Sequence, residues 1–147
     1  MSDIFNRILL LKNSTIFSEV NTENLLVVAQ ELNEEYYVKG DRVFDIDDRG
    51  DRMFMLQTGE VGISTKQNIK SNDFITKLGE GECFGEMNLL DDLPRSATAH
   101  VLEDARVLSL EKEKLRSLII RYPELSLGIL KSLSMRLRNT TNLLNKS

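Results

Sequence analysis

The chain has 147 residues, 41% hydrophobic and 29% charged, with a net charge of −4. That balance is globular rather than disordered, and a chain of this length buries about 68–70% of its unfolded surface, enough for a real core. One cysteine, Cys83, excludes an internal disulfide framework or a multi-cysteine zinc site, and one histidine, His100, leaves little for a histidine metal site or relay. The acidic balance argues against generic nucleic-acid binding.

No apolar run reaches the roughly 18 residues of a membrane helix, and the first seven residues lack a signal-peptide pattern. A cytoplasmic location without membrane insertion is expected. Residues 3–11 carry Ile4, Ile8 and Leu11 at helical spacing. Residues 22–32 read as a second helix, with Thr22 as its cap and Leu25, Val28, Ala29 and Leu32 as its apolar stripe. From Tyr36 the texture changes to short apolar segments punctuated by Gly40, Gly50, Gly59, Gly79 and Gly81. Residues 52–57 and 60–64, joined at Thr58 and Gly59, read as a hairpin, and 75–78, 96–102 and 106–110 as further strands. The polar stretch 68–73 reads as a hairpin loop. Closely spaced short strands point to an antiparallel barrel or sandwich rather than a parallel sheet.

Helical texture returns after Glu111. Leu115, Leu118, Ile119 and Tyr122 form one stripe, Pro123 begins or interrupts a helix, and Leu130, Leu133, Leu137 and Leu144 form another, with Gly128 arguing against one continuous helix. The fold class expected is α+β, a small antiparallel β-barrel of jelly-roll type flanked by helices, in one domain. Its parts are N-terminal helices over 1–35, the barrel over 36–110 and C-terminal helices over 111–147.

The most informative stretch runs from Gly81 to Ala99. Gly85 lets the backbone turn sharply or approach a ligand. Residues 86–90 can make one helical turn, whose first N–H groups face an anion. Arg95 can add a bidentate guanidinium to the same phosphate, and Glu86 can accept from a sugar hydroxyl. Together these residues can read a phosphate joined to a ribose.

Phe84-Gly85-Glu86, Leu89-Leu90, Pro94-Arg95 and Ser96-Ala97-Thr98 resemble the phosphate-binding cassette of the cyclic nucleotide-binding domains, here over 84–98. Residues 11–32, with Ile16 and Phe17, look like that family's N-terminal helices, residues 36–59 like its first barrel strands, and the end of the chain like its lid helix. The resemblance implies a non-catalytic cAMP or cGMP sensor. In that sensor Glu86 accepts from the ribose 2′-hydroxyl and Arg95 pairs with the cyclic phosphate. Backbone N–H groups of Gly85, Glu86, Met87, Asn88 and Leu89 assist, and Ser96 and Ala97 lie near phosphate or base. Occupancy would pass through the C-terminal helices to an effector protein or domain. No cofactor, metal or nucleic-acid partner is expected, and a homodimer could form through a seam of Leu130, Leu137 and Leu144. Bacterial regulators of this family add a helix-turn-helix after the lid helix, which these 147 residues do not reach.

Three departures stand out. Asn88 replaces the alanine of many members, Asp47 replaces a turn glycine, and no aromatic follows Tyr122 to stack on the base, leaving Leu137, Leu143 or Leu144 as apolar caps. They motivate an alternative, a ligand-free interaction or scaffold module. Aspartate tolerates a positive φ better than most residues, so the turn is expected to survive. Asp45, Asp47, Asp48 and Asp51 share part of a calcium-loop spacing, but Leu56 stands where its glutamate belongs, favouring a solvated turn. Cys83 reads as a small buried hydrophobe. Lys131, Arg136, Arg138 and Lys146 make the tail basic. No glycine-rich nucleotide loop of the Gly-x-Gly-x-x-Gly or Walker type is present.

Overall fold

A computed structural model describes residues 3–65 and 74–145, so the loop expected over 68–73 and Lys146 lie outside the described residues. Among the described residues, helices α1 (Ile4–Lys12) and α2 (Thr22–Ala29) come first. Strands β1 (Asn33–Tyr37), β2 (Arg42–Phe44), β3 (Arg52–Ser64), β4 (Thr76–Leu78), β5 (Cys83–Phe84) and β6 (Thr98–Glu111) follow. Helices α3 (Lys112–Arg121) and α4 (Glu124–Asn145) close the order. A 3-10 turn, Glu86–Leu89, stands between β5 and β6. The chain forms two compact units, residues 32–113 and residues 1–31 with 114–147.

In the strand unit all pairing is antiparallel, along an open path β1-β6-β3-β4, with β2 also on β6 and β5 also on β3. The α+β class with an antiparallel strand core is therefore as expected. Two long strands carry it. β3 and β6 pair from Arg52↔Glu111 to Ser64↔Thr98, with register shifts between Leu56 and Val61. One half of the sheet adds β1 and β5, the other β2 and β4. Side chains from both halves meet in one core of Phe54, Leu56, Val61, Phe84, Ala99, Val101, Ala105 and Val107, edged by Tyr37, Val43, Phe44, Ile63 and Leu78.

The hairpin expected at Thr58 and Gly59 is instead a bulged stretch inside one strand. Gly59 has φ +101, and a Cβ there would fall 2.5 Å from the Asp104 carbonyl oxygen. A glycine between two apolar runs marks either a turn or a bulge, and here the neighbouring strand runs straight past it. For the same reason the segments expected at 96–102 and 106–110 are a single strand, β6. Strand structure also starts earlier than the change of texture at Tyr36, because β1 opens with the polar residues Asn33, Glu34 and Glu35.

In the helical unit Asp3 caps α1 by accepting from the Asn6 N–H at 2.8 Å. α2 is capped by Asn21, which accepts from the Asn24 N–H at 2.9 Å, so the cap is not Thr22, and the helix stops at Ala29. Leu10, Leu11, Ile16, Phe17, Val20, Leu25, Val28, Leu115, Leu118, Leu125 and Ile129 are buried. Tyr122 is 37% exposed and falls beyond α3, and Pro123 separates α3 from α4. α4 runs unbroken through Gly128. A Cβ at 128 would meet Val20 Cγ2 at 2.9 Å, so the glycine is a close-packing position rather than a break. The buried side of α4 is Leu125, Ile129 and Ser132, whereas Leu130, Leu137 and Leu144 are 60%, 68% and 71% exposed. Ser132 accepts from the Glu19 N–H at 2.8 Å and donates to the Gly128 carbonyl at 2.9 Å. No described helix is long and apolar enough to cross a membrane.

Gly59→Ala forces a left-handed φ on a residue with a Cβ and a contact with the Asp104 carbonyl. It is expected to cost roughly 1–3 kcal/mol, measured as a lower urea midpoint at unchanged slope.

Candidate functional site

The site grows from the end of β5. Gly81 donates its N–H to the Leu56 carbonyl and Glu82 accepts from the Leu56 N–H, both at 2.9 Å, which pins the approach to β3. Phe84 then pairs with Phe54. At Gly85 the backbone turns left-handed, φ 73 and ψ 13, and enters the 3-10 turn. A Cβ at 85 would stand 2.6 Å from Nη1 of Arg95. Glycine is needed there for its conformation and for the arginine beside it.

Arg95 is 3% exposed. Its Nη1 donates to the Gly85 carbonyl and to Oδ1 of Asn88, each at 3.1 Å, and Nη2 donates to the Arg52 carbonyl at 2.6 Å. The guanidinium carbon lies 4.1 Å from the centre of the Phe44 ring. Nε is buried without a hydrogen-bond partner. Among the described residues Arg95 forms no ion pair; its neighbours are carbonyl oxygens and an aromatic face. Burial pulls its pKa down from the usual arginine value, and Arg52 adds to this, while Asp51 and Asp48 act against it. An arginine remains a cation under working conditions.

The floor beneath Arg95 is aromatic. The rings of Phe54 and Phe84 stack at 5.2 Å, and Phe44 lies 5.9 and 6.0 Å from them. The turn over 45–50 is tied to the Arg95 backbone. Asp47 takes φ 73, the positive φ expected of it. Its N–H donates to the Arg95 carbonyl at 2.8 Å, and the Arg95 N–H donates to the Asp48 carbonyl at 2.7 Å. The Ile46 N–H donates to Oγ1 of buried Thr98 at 2.8 Å. Asp48 accepts from the Asp45 N–H at 2.9 Å and Asp45 pairs with Arg42 at 2.8 Å, so these carboxylates serve the turn itself. Beyond the cassette, Lys112 Nζ donates to the Asp91 carbonyl and to Asp92 Oδ1 at 2.9 Å, and its N–H donates to the Asp51 carbonyl at 2.7 Å.

Beside Arg95 lies a half-open cavity of about 150 Å³, lined by Phe44, Ile63, Phe84, Gly85, Asn88, Arg95, Ser96 and Ala97. Of the residues singled out by sequence, Gly85, Asn88, Arg95, Ser96 and Ala97 meet at its wall. Glu86, Met87 and Leu89 do not. Met87 is 50% exposed, Leu89 is buried and Glu86 half-buried. Phe44, Ile63 and Phe84 were missed as lining residues. The stripe that puts Phe44 and Phe84 in the core also points them at the guanidinium, and periodicity alone does not separate the two roles. His100 lies apart, with Nε2 3.1 Å from Ser64 Oγ and its ring edge-on to Phe74.

Residues 34–122 match the cyclic nucleotide-binding domain family. The chain is 30% identical over 133 residues to the CRP-like cAMP-activated global transcriptional regulator of Mycobacterium tuberculosis, covering 90% of this chain and 59% of the relative. It is 32% identical over 112 residues to the cAMP-dependent protein kinase regulatory subunit of Debaryomyces hansenii, covering 74% of this chain and 24% of the relative. Among solved structures it resembles the N-terminal domain of a transcriptional regulator from Streptomyces coelicolor A3(2), with TM-score 0.79 and 27% identity over 90% of this chain and 95% of that one. It thus spans about three-fifths of the length of its mycobacterial relative.

Half-buried Cys83 has its thiol pushed up to about 12 by burial first and then by Glu86 and Glu82. Burial and Glu35 push the Tyr37 phenol up as well. A raised value in the folded state means that the fold favours the protonated group. The contribution is complete below the ordinary thiol value of 9.0 and is lost as pH rises towards 12. The urea midpoint is expected to fall above pH 9, and Cys83→Ala to remove part of that fall.

Proposed function

The chain belongs to the cyclic nucleotide-binding domain family, and from that membership we propose that it is a non-catalytic sensor of cAMP, with cGMP the alternative, that passes occupancy on through its C-terminal helices. One observation carries the reading. The Arg95 guanidinium is buried with no carboxylate partner among the described residues and with an unengaged Nε–H. Burying an unpaired ion costs several kcal/mol, and an oxyanion in the adjoining cavity offsets that cost with charge-assisted hydrogen bonds. The cavity, about 150 Å³, is below the roughly 300–1,000 Å³ of whole-ligand pockets. It suits the phosphate and sugar end of a nucleotide, with the base outside it.

Glu86, at the head of the 3-10 turn, is assigned the ribose hydroxyl, and Ser96 and Ala97 the edge of the phosphate. The names of the mycobacterial and yeast relatives favour cAMP as the ligand. Transcriptional and kinase outputs belong to those longer proteins. Here the exposed Leu130, Leu137 and Leu144 on α4 support a surface for an effector or a second copy. The ligand-free scaffold reading draws on Asn88, which already holds Arg95. It is disfavoured because that hold leaves guanidinium donors without a partner.

Calorimetric titration of refolded protein with cAMP and then cGMP tests the proposal. Micromolar or tighter binding is expected. Arg95→Ala should weaken it by about 1.5–3 kcal/mol, the worth of a hydrogen bond to a charged group, and Glu86→Ala should weaken it without unfolding the domain. Folded wild-type protein that takes up neither nucleotide would sink the sensor reading.

A further inference from the structure

Asn88, one of the departures from the family cassette, is tied directly to Arg95. Asn88 is 8% exposed. Its Oδ1 accepts from Nη1 of Arg95 at 3.1 Å, and its Nδ2 donates to the Leu93 carbonyl at 2.6 Å and towards Asp91 Oδ1 at 3.4 Å. The two ends of the amide have opposite partners, a cation on one side and oxygens on the other. The amide orientation is therefore fixed by its network, since a flip would set NH2 against guanidinium. The side chain is also held in place from behind. A Cβ at Gly50 would fall 2.3 Å from Asn88 Cγ.

We propose that Asn88 is a positioning residue for the oxyanion site, its amide carbonyl fixing the Arg95 guanidinium so that unengaged donors stand ready for phosphate. The inference rests on reading Arg95 as the phosphate receptor. Arginine has five N–H donors. Gly85, Asn88 and Arg52 take one each, two from Nη1 and one from Nη2. Nε–H and one Nη2–H remain untaken, on nitrogens of the same plane; Nε itself is closed to solvent as the site stands, so an oxyanion that used both in bidentate fashion would have to displace what covers it. Asn88 therefore does not compete with the ligand. It removes the freedom of a long side chain before binding, so that less is lost when phosphate arrives.

Asn88→Ala alone would also open a void, which a purely space-filling role predicts to be harmful. Gly50→Ala with Asn88→Gly separates the two roles, because an alanine at 88 would keep the Cβ that stands 2.6 Å from a Cβ at 50. The new methyl occupies part of the vacated space, and Gly50 has no left-handed φ to strain. Two readouts are used on wild type, Asn88→Ala and the double variant: cAMP titration, and water exchange of the Arg95 side-chain N–H protons by NMR.

The expected result is that the double variant stays folded with a modestly lower urea midpoint, yet binds cAMP about tenfold more weakly, as for loss of one charge-assisted hydrogen bond. Its Nη1 protons should exchange markedly faster. Wild-type affinity in the double variant, tighter binding by Asn88→Ala, or unchanged Nη1 exchange would overturn the proposal. If wild type takes up no cAMP, the sensor reading fails, and Nη1 exchange alone then decides whether Asn88 holds the arginine.

Discussion

The arrangement of the strand unit follows from keeping one guanidinium out of water with no ion-pair partner among the described residues. An ion so placed needs its charge spread over many weak acceptors. Around Arg95 these are two backbone carbonyls, one side-chain amide and the face of Phe44. Each acceptor imposes its own condition. The Gly85 carbonyl comes close because residue 85 lacks a side chain. The Arg52 carbonyl is supplied by the first residue of β3. The ring face requires Phe44 at the end of β2. Had a glutamate met Arg95 instead, the pair would be neutral and the cavity would have no net attraction for an anion.

The same residues serve stability and recognition. Phe44, Phe54 and Phe84 form a mutually packed cluster that belongs to the core. Its upper surface is also a negative aromatic face under a cation, an interaction worth more when desolvated. The long strands make this economy possible. Because β3 bends through Gly59 and continues, one strand contributes Phe54 to the cluster at one end and Ile63 to the cavity wall at the other. A hairpin at that point would have sent the second half of the strand back alongside the first.

Much of this was legible from the chain. The helix, strand, helix order follows from periodicity, and the cassette residues Gly85, Arg95, Ser96 and Ala97 line one cavity. What failed has identifiable causes. Gly59 and Gly128 were read as breaks, yet both answer to a neighbour far away in sequence, the Asp104 carbonyl and Val20. A local reading weighs conformational freedom and has no access to close approach. Asn21 displaced Thr22 as a cap because both residue types cap well and only the helix start decides between them. Leu130, Leu137 and Leu144 formed a regular pattern, but the buried side of α4 was set by Leu125 and Ile129, and regular spacing does not say which of two stripes faces inward. The partners of Arg95 were out of reach for a further reason, since carbonyls carry no signature in a side-chain sequence.

The contact between positions 50 and 88 orders the changes this protein can accept over time. Any side chain at 50 collides with Asn88 from its Cβ outward, whereas a glycine at 88 offers nothing there to collide with. A lineage can therefore shrink residue 88 first and enlarge residue 50 afterwards, but the reverse route passes through a damaged intermediate. Once both have changed, restoring asparagine alone is blocked by the methyl at 50. The pair behaves as a ratchet, and descendants that have crossed it would carry a different hold on their arginine with no direct way back.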